Sequence, residues 1–205
     1  MSIFPENKIL IATHNSGKLE EFKYILKDLD LIIVSSKELN LDEPEETENT
    51  FLGNARIKSQ ISCLKSNLPT LSDDSGLQVH ALNNRPGVYT ADWADTNNGR
   101  NYKKAMSKVW EELLKSKEKP PFTANFTCTL VLTFPNGNEK VFEGNIYGSI
   151  TWPMRGKDGH GYDPIFLPDG YKDTFGEMKE TKKNRISHRN LALKKFITFY
   201  KNHYK

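Results

Sequence analysis

Cysteine is scarce in this chain of 205 residues, which has only Cys63 and Cys128. Two thiols cannot build a disulfide framework and neither stands in a metal-ligand spacing, so both read as buried, unreactive side chains in a reducing, cytoplasmic setting. Long apolar runs are missing too. The longest aliphatic stretches, 9–12 and 31–34, fall far short of a bilayer span, and the opening MSIFPENK has no basic stretch leading into an apolar one. Neither membrane insertion nor secretion is expected. Nor does one sign of charge prevail: 29 Lys plus Arg against 26 Asp plus Glu leave a net +3, which does not mark a nucleic-acid binder. Enough apolar residues are present, 37%, for a sizeable core. No repeat or low-complexity linker interrupts the chain. The expectation is one structural unit over residues 1–205, with two lobes allowed, rather than two independent domains.

The balanced charge hides an asymmetry. Five of the seven residues 42–48 are acidic (Asp42, Glu43, Glu45, Glu46, Glu48), whereas from Tyr171 onward ten residues are Lys or Arg against three acidic ones. Two such blocks attract each other or enclose something that carries both signs; a solvated acidic loop and a solvated basic helix are the plainer alternative.

Periodicity supplies the elements. Lys8–Ala12 reads as a strand, followed by the polar loop Thr13-His-Asn-Ser-Gly-Lys18 and a helix carrying Leu19, Phe22, Ile25 and Leu26. With the second apolar run this makes a β-α-β opening and an α/β fold. Residues 50–66, with Phe51, Ala55, Ile57, Ile61 and Leu64, predict a helix, and 70–72 a short strand that turns at Ser75-Gly76. A further helix is expected over 101–117, with Ala105, Val109, Leu113 and Leu114 on one face. A hairpin is expected from 122–134 and 140–150, and a terminal helix from about Ser187.

Four segments carry candidate chemistry. Thr13–Lys18 lies where a strand hands over to a helix, so backbone N–H groups, the helix's positive end and Lys18 can meet an anion. It is not a P-loop, because Ala12 and Leu19 stand where glycine and Ser/Thr would be required. Asp73-Asp74 presents two carboxylates whose side chains face opposite ways on an extended strand, so one acts and one supports. Either of them with Glu46 would suffice for Mg2+, which takes one or two carboxylates plus waters and substrate phosphates. His188 and Arg189 stand in a helical first turn, where the dipole disfavours cations, and this is easier to explain if an anion or an electron-rich ligand atom docks there. Trp152, His160 and Tyr162 flank Gly156, Gly159 and Gly161, so aromatic faces and close backbone approach are available to a planar base.

In this order, Thr13–Lys18, Glu46-Thr47, Thr50-Phe51, Asn54-Ala55, Lys58, Asp73-Asp-Ser-Gly-Leu77, Pro86-Gly87, Gly161-Tyr-Asp-Pro164 and Ser187-His-Arg189 resemble the inosine triphosphate pyrophosphatase family, the XTP/dITP diphosphatases. The resemblance covers nearly the whole chain. It implies an α/β fold with an elongated mixed β-sheet flanked by helices, and two lobes around a central nucleotide-binding cleft. It also implies a cytoplasmic homodimer, without nucleic-acid or membrane partners, that cleaves non-standard purine nucleoside triphosphates (ITP, dITP, XTP) to monophosphate and pyrophosphate with Mg2+. Position by position, it implies phosphate binding by Thr13, Asn15, Lys18 and Lys58, with Ser75 beside them. Glu46 and Asp74 would hold the metal, Asp74 would be the catalytic residue, and His160, Tyr162, Asp163, Lys183, His188 and Arg189 would serve the base. Two positions depart from the pattern: Gly53 stands where members similar to bacterial enzymes commonly carry glutamate, and His160 replaces the usual phenylalanine.

The residues suit that chemistry. Cations serve the triphosphate oxygens and carboxylates the metal, leaving hydrolysis to water positioned by Asp74 or by the metal, which attacks the α-phosphorus. Arg189 offers only donors, so it matches a 6-keto oxygen and disfavours adenine. The alternatives are a pyrophosphatase of standard or pyrimidine triphosphates and a non-enzymatic RNA-binding module built on the basic C-terminal third with Trp152, Tyr162 and Tyr171. A P-loop kinase is already weakened by Ala12 and Leu19.

Overall fold

The computed structural model describes residues 4–203; residues 1–3, 204 and 205 of the expected unit lie outside the described residues. The strands are β1 (Lys8–Ile11), β2 (Ile32–Ser35), β3 (Thr70–Val79), β4 (Arg85–Pro86), β5 (Asp95–Thr96), β6 (Gly99–Arg100), β7 (Phe122–Thr133), β8 (Glu139–Ile150) and β9 (Phe166–Pro168). The helices are α1 (Ser16–Leu26), α2 (Phe51–Ser66), α3 (Tyr102–Lys115), α4 (Glu180–Ile186) and α5 (His188–His203), with short 3-10 turns between. The sheet has the order β2-β1-β3-β7-β8-β9, with β4 paired to β3. It is mixed, as expected: β1 runs parallel to β2 and β3, whereas β4 and β9 pair antiparallel with β3 and β8.

The chain divides into two compact units, neither continuous in sequence. The first comprises Met1–Asp74, Cys128–Gly144 and Arg189–Lys205, and the second Ser75–Thr127 and Asn145–His188. Each has its own apolar cluster.

In the first unit β1 lies between two neighbours, and Ile9, Leu10 and Ile11 are fully buried, as a parallel strand covered on both faces requires. Asn15 caps α1 by accepting a hydrogen bond from the Lys18 N–H at 3.1 Å, and Phe22 and Leu26, one turn apart, face the core. Leu193, Phe196 and Tyr200 of α5 pack into the same cluster. Helix α2 forms as its periodicity predicts, capped by Thr50 and ended by Asn67 in the left-handed region. The face is different from the expected one. Asn54, Lys58, Ser59 and Ser62 are buried beside Phe51, Ala55 and Cys63, while Leu64 is 87% exposed. Inward polar groups find partners brought from elsewhere in the chain: Ser59 Oγ meets Thr133 Oγ1 at 2.7 Å, Lys58 meets Glu46 and Asn54 meets Asp74. Polar residues can then replace apolar ones on the buried stripe.

Strand β3 also corrects the sequence reading. There is no turn at Ser75-Gly76, and the strand runs on to Val79 with Asp73 and Asp74 buried inside it. Charged partners make that tolerable, as described below.

In the second unit Ala105, Met106, Val109 and Leu113 of α3 pack with Phe122, Ala124 and Phe126 of β7, but Leu114, expected inside, is 65% exposed. Trp110 stacks on Trp152 with ring centroids 5.5 Å apart. The Lys-rich stretch before Ser187 forms α4.

Candidate active site

In the first unit, seven of the residues singled out in the sequence are Thr13, Asn15, Lys18, Glu46, Lys58, Asp74 and Arg189. The loop after β1 organises itself: Thr13 Oγ1 accepts from the Asn15 N–H at 3.2 Å, and Asn15 caps α1. Thr13, His14, Asn15 and Ser16 line a cavity of about 410 Å3 together with Ser35, Lys37 and residues 40–42.

Behind that loop Asp73, 1% exposed, receives Lys18 Nζ at 2.9 Å and the Arg189 guanidinium at 3.3 Å, both on Oδ2. Arg189 also donates to Glu21 Oε2 at 2.5 Å. Burial alone would push the Asp73 carboxyl up, but Lys18, Arg189 and Lys58 outweigh it and hold Asp73 well below the usual carboxylate range. Burial likewise works against the Arg189 charge and is overcome by Asp73 and Glu21, which raise its pKa. The anions at the start of α5 are therefore supplied by the chain itself. Glu21 was absent from the sequence reading; its spacing of three from Lys18 on one helix face was the available signal.

Asp74 faces the other way, as alternation along a strand predicts, and is 6% exposed. Its Oδ2 accepts from Asn54 Nδ2 at 3.2 Å. Lys58, on α2, sits with its Nζ 2.6 Å from Glu46 Oε1 and its side chain 7% exposed. Burial raises the Asp74 pKa to about 6, with the Glu46 charge adding to the rise and Lys58 opposing it. Lys58 keeps its charge: burial disfavours it, but Asp73, Asp74 and Glu46 together raise its pKa.

This donor set suits a hard divalent cation. Two carboxylates close enough for one charge to raise the other's pKa are relieved by a cation between them, and Mg2+ needs no more than two when phosphates and waters complete its shell. Among the described residues no group of three or more His, Cys, Asp or Glu is placed to hold a metal ion unaided.

The second unit holds Ser75, His160, Tyr162, Asp163, Lys183 and His188. Ser75 follows Asp74 on β3 and is half-buried. Asp163 is the hub: its Oδ2 accepts from the His160 N–H at 2.6 Å and pairs with Lys183 of α4. Gly159 makes this possible, since a Cβ there would collide with the Asp163 carboxylate and its φ is +82°. Tyr162 is buried, donating to Thr90 O at 3.0 Å, and meets Tyr102 edge-on. His188 stacks on Phe126 at 5.1 Å. The glycine-rich loop, including exposed His160, lines a cavity of about 670 Å3 with Arg100, Tyr102 and Lys103 on another wall.

A mixed-sheet α/β protein with partly buried lysine–carboxylate pairs and a glycine-rich loop tied by an aspartate is thus defined. Residues 9–199 match the Ham1 family model, and the chain belongs to that family. It is similar to a dITP/XTP pyrophosphatase of Ruegeria pomeroyi, 50% identical over 194 residues, with 95% of each chain covered. One of Gluconobacter oxydans is 45% identical over 193 residues, covering 94% of this chain and 90% of that one. Among solved structures, a HAM1 protein of Coxiella burnetii superposes with a TM-score of 0.89 at 35% identity, covering 95% of this chain and 98% of that one.

Proposed function

We propose that this protein is a nucleoside triphosphate pyrophosphatase that hydrolyses non-standard purine nucleoside triphosphates, ITP, dITP and XTP, to the monophosphate and pyrophosphate, and so removes them from the nucleotide pool. The observation that carries the reading is the gathering of cations and carboxylates around β3, in which Lys18 and buried Lys58 face buried Asp73 and Asp74 and the more exposed Glu46. Similarity to enzymes named for dITP and XTP, over almost the whole chain, supports the substrate class.

Glu46 and Asp74 would hold Mg2+, which when bound supplies positive charge for the triphosphate and for the leaving pyrophosphate. Lys58, charged inside the protein, pairs with phosphate oxygens, and Lys18 does the same from the end of α1. Asp74, with a pKa of about 6, is ionised at neutral pH and can orient a water and accept its proton. His160, Tyr162, Asp163, Lys183 and His188 are assigned to the base, together with Arg189, whose donors match a 6-keto oxygen. The proposal includes a cytoplasmic homodimer without a nucleic-acid partner. Free, buried Cys63 and Cys128 suit a reducing compartment, and among the described residues no helix is long and apolar enough to cross a membrane.

The test is pyrophosphate release from ITP, dITP, XTP, GTP and ATP, with Mg2+ and with a chelator. Release from the first three that stops without metal is expected; comparable rates on ATP, or salt-sensitive RNA binding without release, would overturn the reading. Light scattering giving twice the chain mass is expected for the dimer.

A further inference from the structure

The acidic segment 42–48 has no regular secondary structure, and its residues are exposed except for half-buried Pro44. Glu46 in that segment and Asp74 in β3 can nevertheless serve one ligand only if their separation is fixed. One buried side chain ties the segment to the strand through Glu48 and Asp74. Asn54, 2% exposed in the first turn of α2, accepts through Oδ1 from the Glu48 N–H at 2.9 Å and donates through Nδ2 to Asp74 Oδ2 at 3.2 Å. The two bonds fix the amide's orientation, because a backbone N–H requires its oxygen end and a carboxylate its nitrogen end.

The neighbouring residue fits the same purpose. A Cβ at position 53 would stand 2.5 Å from Glu48 Cβ and 2.7 Å from Glu48 Cγ. Gly53 lies inside a helix and its φ is not in the left-handed region, so the backbone conformation does not call for glycine. The requirement is steric: the segment lies on α2 where a side chain would otherwise be. Glycine costs about 1 kcal/mol of helix propensity there, so the space it leaves for Glu48 is what offsets that loss.

We infer that Asn54 is a positioning residue that ties the acidic segment to Asp74, so that Glu46 and Asp74 are presented together, with Gly53 as the seat for Glu48. The inference rests on the reading of Glu46 and Asp74 as metal-holding, but the tie can be measured without it.

The test uses the whole chain, metal-free for hydrogen exchange and with Mn2+ as a spectroscopic stand-in for Mg2+. In Asn54→Leu, exchange of the Glu48 amide should accelerate at least about 10-fold, as for a released local hydrogen bond. Mn2+ affinity and kcat on ITP should each fall about 10- to 100-fold, the usual loss when a ligand's supporting partner goes, with KM for ITP nearly unchanged. Asn54→Asp keeps the acceptor and removes the donor, so the Glu48 amide should stay protected while kcat falls. Gly53→Ala should release the segment and lower kcat while leaving α2 protected from exchange, and adding Glu48→Gly to the Gly53→Ala variant should restore most of the lost kcat. Should Asn54→Leu fail to fold, Asn54→Asp and the Gly53→Ala pair carry the decision. Wild-type Glu48 exchange and Mn2+ affinity in Asn54→Leu, or no Mn2+ binding by the wild type, would overturn the inference. Absence of pyrophosphate release from ITP by the wild type would sink the functional reading alone, since exchange and Mn2+ binding would still decide the tie.

Discussion

Asp73 and Asp74 are adjacent in β3 and both buried, yet their carboxyls are held in opposite directions from the ordinary value of 3.8: Asp73 far below it, Asp74 up to about 6. Burial raises both. The difference lies in their partners, because Asp73 shares one oxygen between Lys18 and Arg189, whereas Asp74 bonds an amide and has Lys58 opposed by the charges of Glu46 and Asp73. Strand alternation thus gives the two aspartates different surroundings, and the proposed function gives the reactive role to Asp74.

Replacing Asp73 by Asn removes the carboxylate paired with Lys18, which is also one of those facing the largely buried Arg189. A loss of about 3 kcal/mol is expected at pH 7, the lower end for breaking a buried pair, because Lys18 can regain water. The folded pKa is depressed, so the Asp73 contribution is complete above the unfolded value and is lost as pH falls. Urea unfolding should therefore show the gap between wild type and variant narrowing below about pH 4.

Asp74→Asn should have the opposite effect on stability. A folded pKa raised from 3.8 to about 6 means that ionised Asp74 destabilises the metal-free protein above that pH and not below 3.8. The variant should be more stable than wild type by about 2–3 kcal/mol at pH 8, with the gain disappearing toward pH 4. Its kcat on ITP should drop about 1,000-fold or more, with KM changed far less. Near-normal turnover would remove Asp74 from the chemistry.

Lys58→Met should weaken the site in two ways. Glu46 loses its partner but is 38% exposed and can be hydrated, so a stability cost of about 1–3 kcal/mol is expected. The Asp74 carboxyl also loses a cation that lowers its pKa, so the acid limb of kcat/KM against pH should move upward. An unmoved acid limb would separate Lys58 from Asp74.

Gly159→Ala tests the base side. The added Cβ meets the Asp163 carboxylate and occupies a φ of +82°, which disfavours side chains by about 1–2 kcal/mol. Denaturant unfolding should show a loss of at least that size. KM for ITP should rise more than kcat falls, because the His160 and Lys183 contacts to Asp163 are what the substitution disturbs. An unchanged KM would detach the loop from substrate binding.

Local pattern made much of this legible. Periodicity marked α1, α3 and α5 and the hairpin of β7 and β8. It failed where polar residues serve a site. The apolar residues of α2 suggested the wrong buried face, since Leu64 is exposed and Lys58 buried, and β3, expected to turn at Ser75-Gly76, continues with both aspartates buried inside it. In both cases the missing information was a partner distant in sequence, such as Glu46 for Lys58 or Arg189 for Asp73.

By itself the sequence determined the α/β class, the family pattern and the opposed charge blocks, because these depend on residue type, order and spacing. Only the tertiary structure decided which charges meet. It set Arg189 on Glu21 and Asp73, committed Asn54 to both Glu48 and Asp74, and gave neighbouring aspartates opposite pKa shifts. Burial and the distance to the nearest opposite charge control those energies, and both arise only when segments far apart in the chain are brought together.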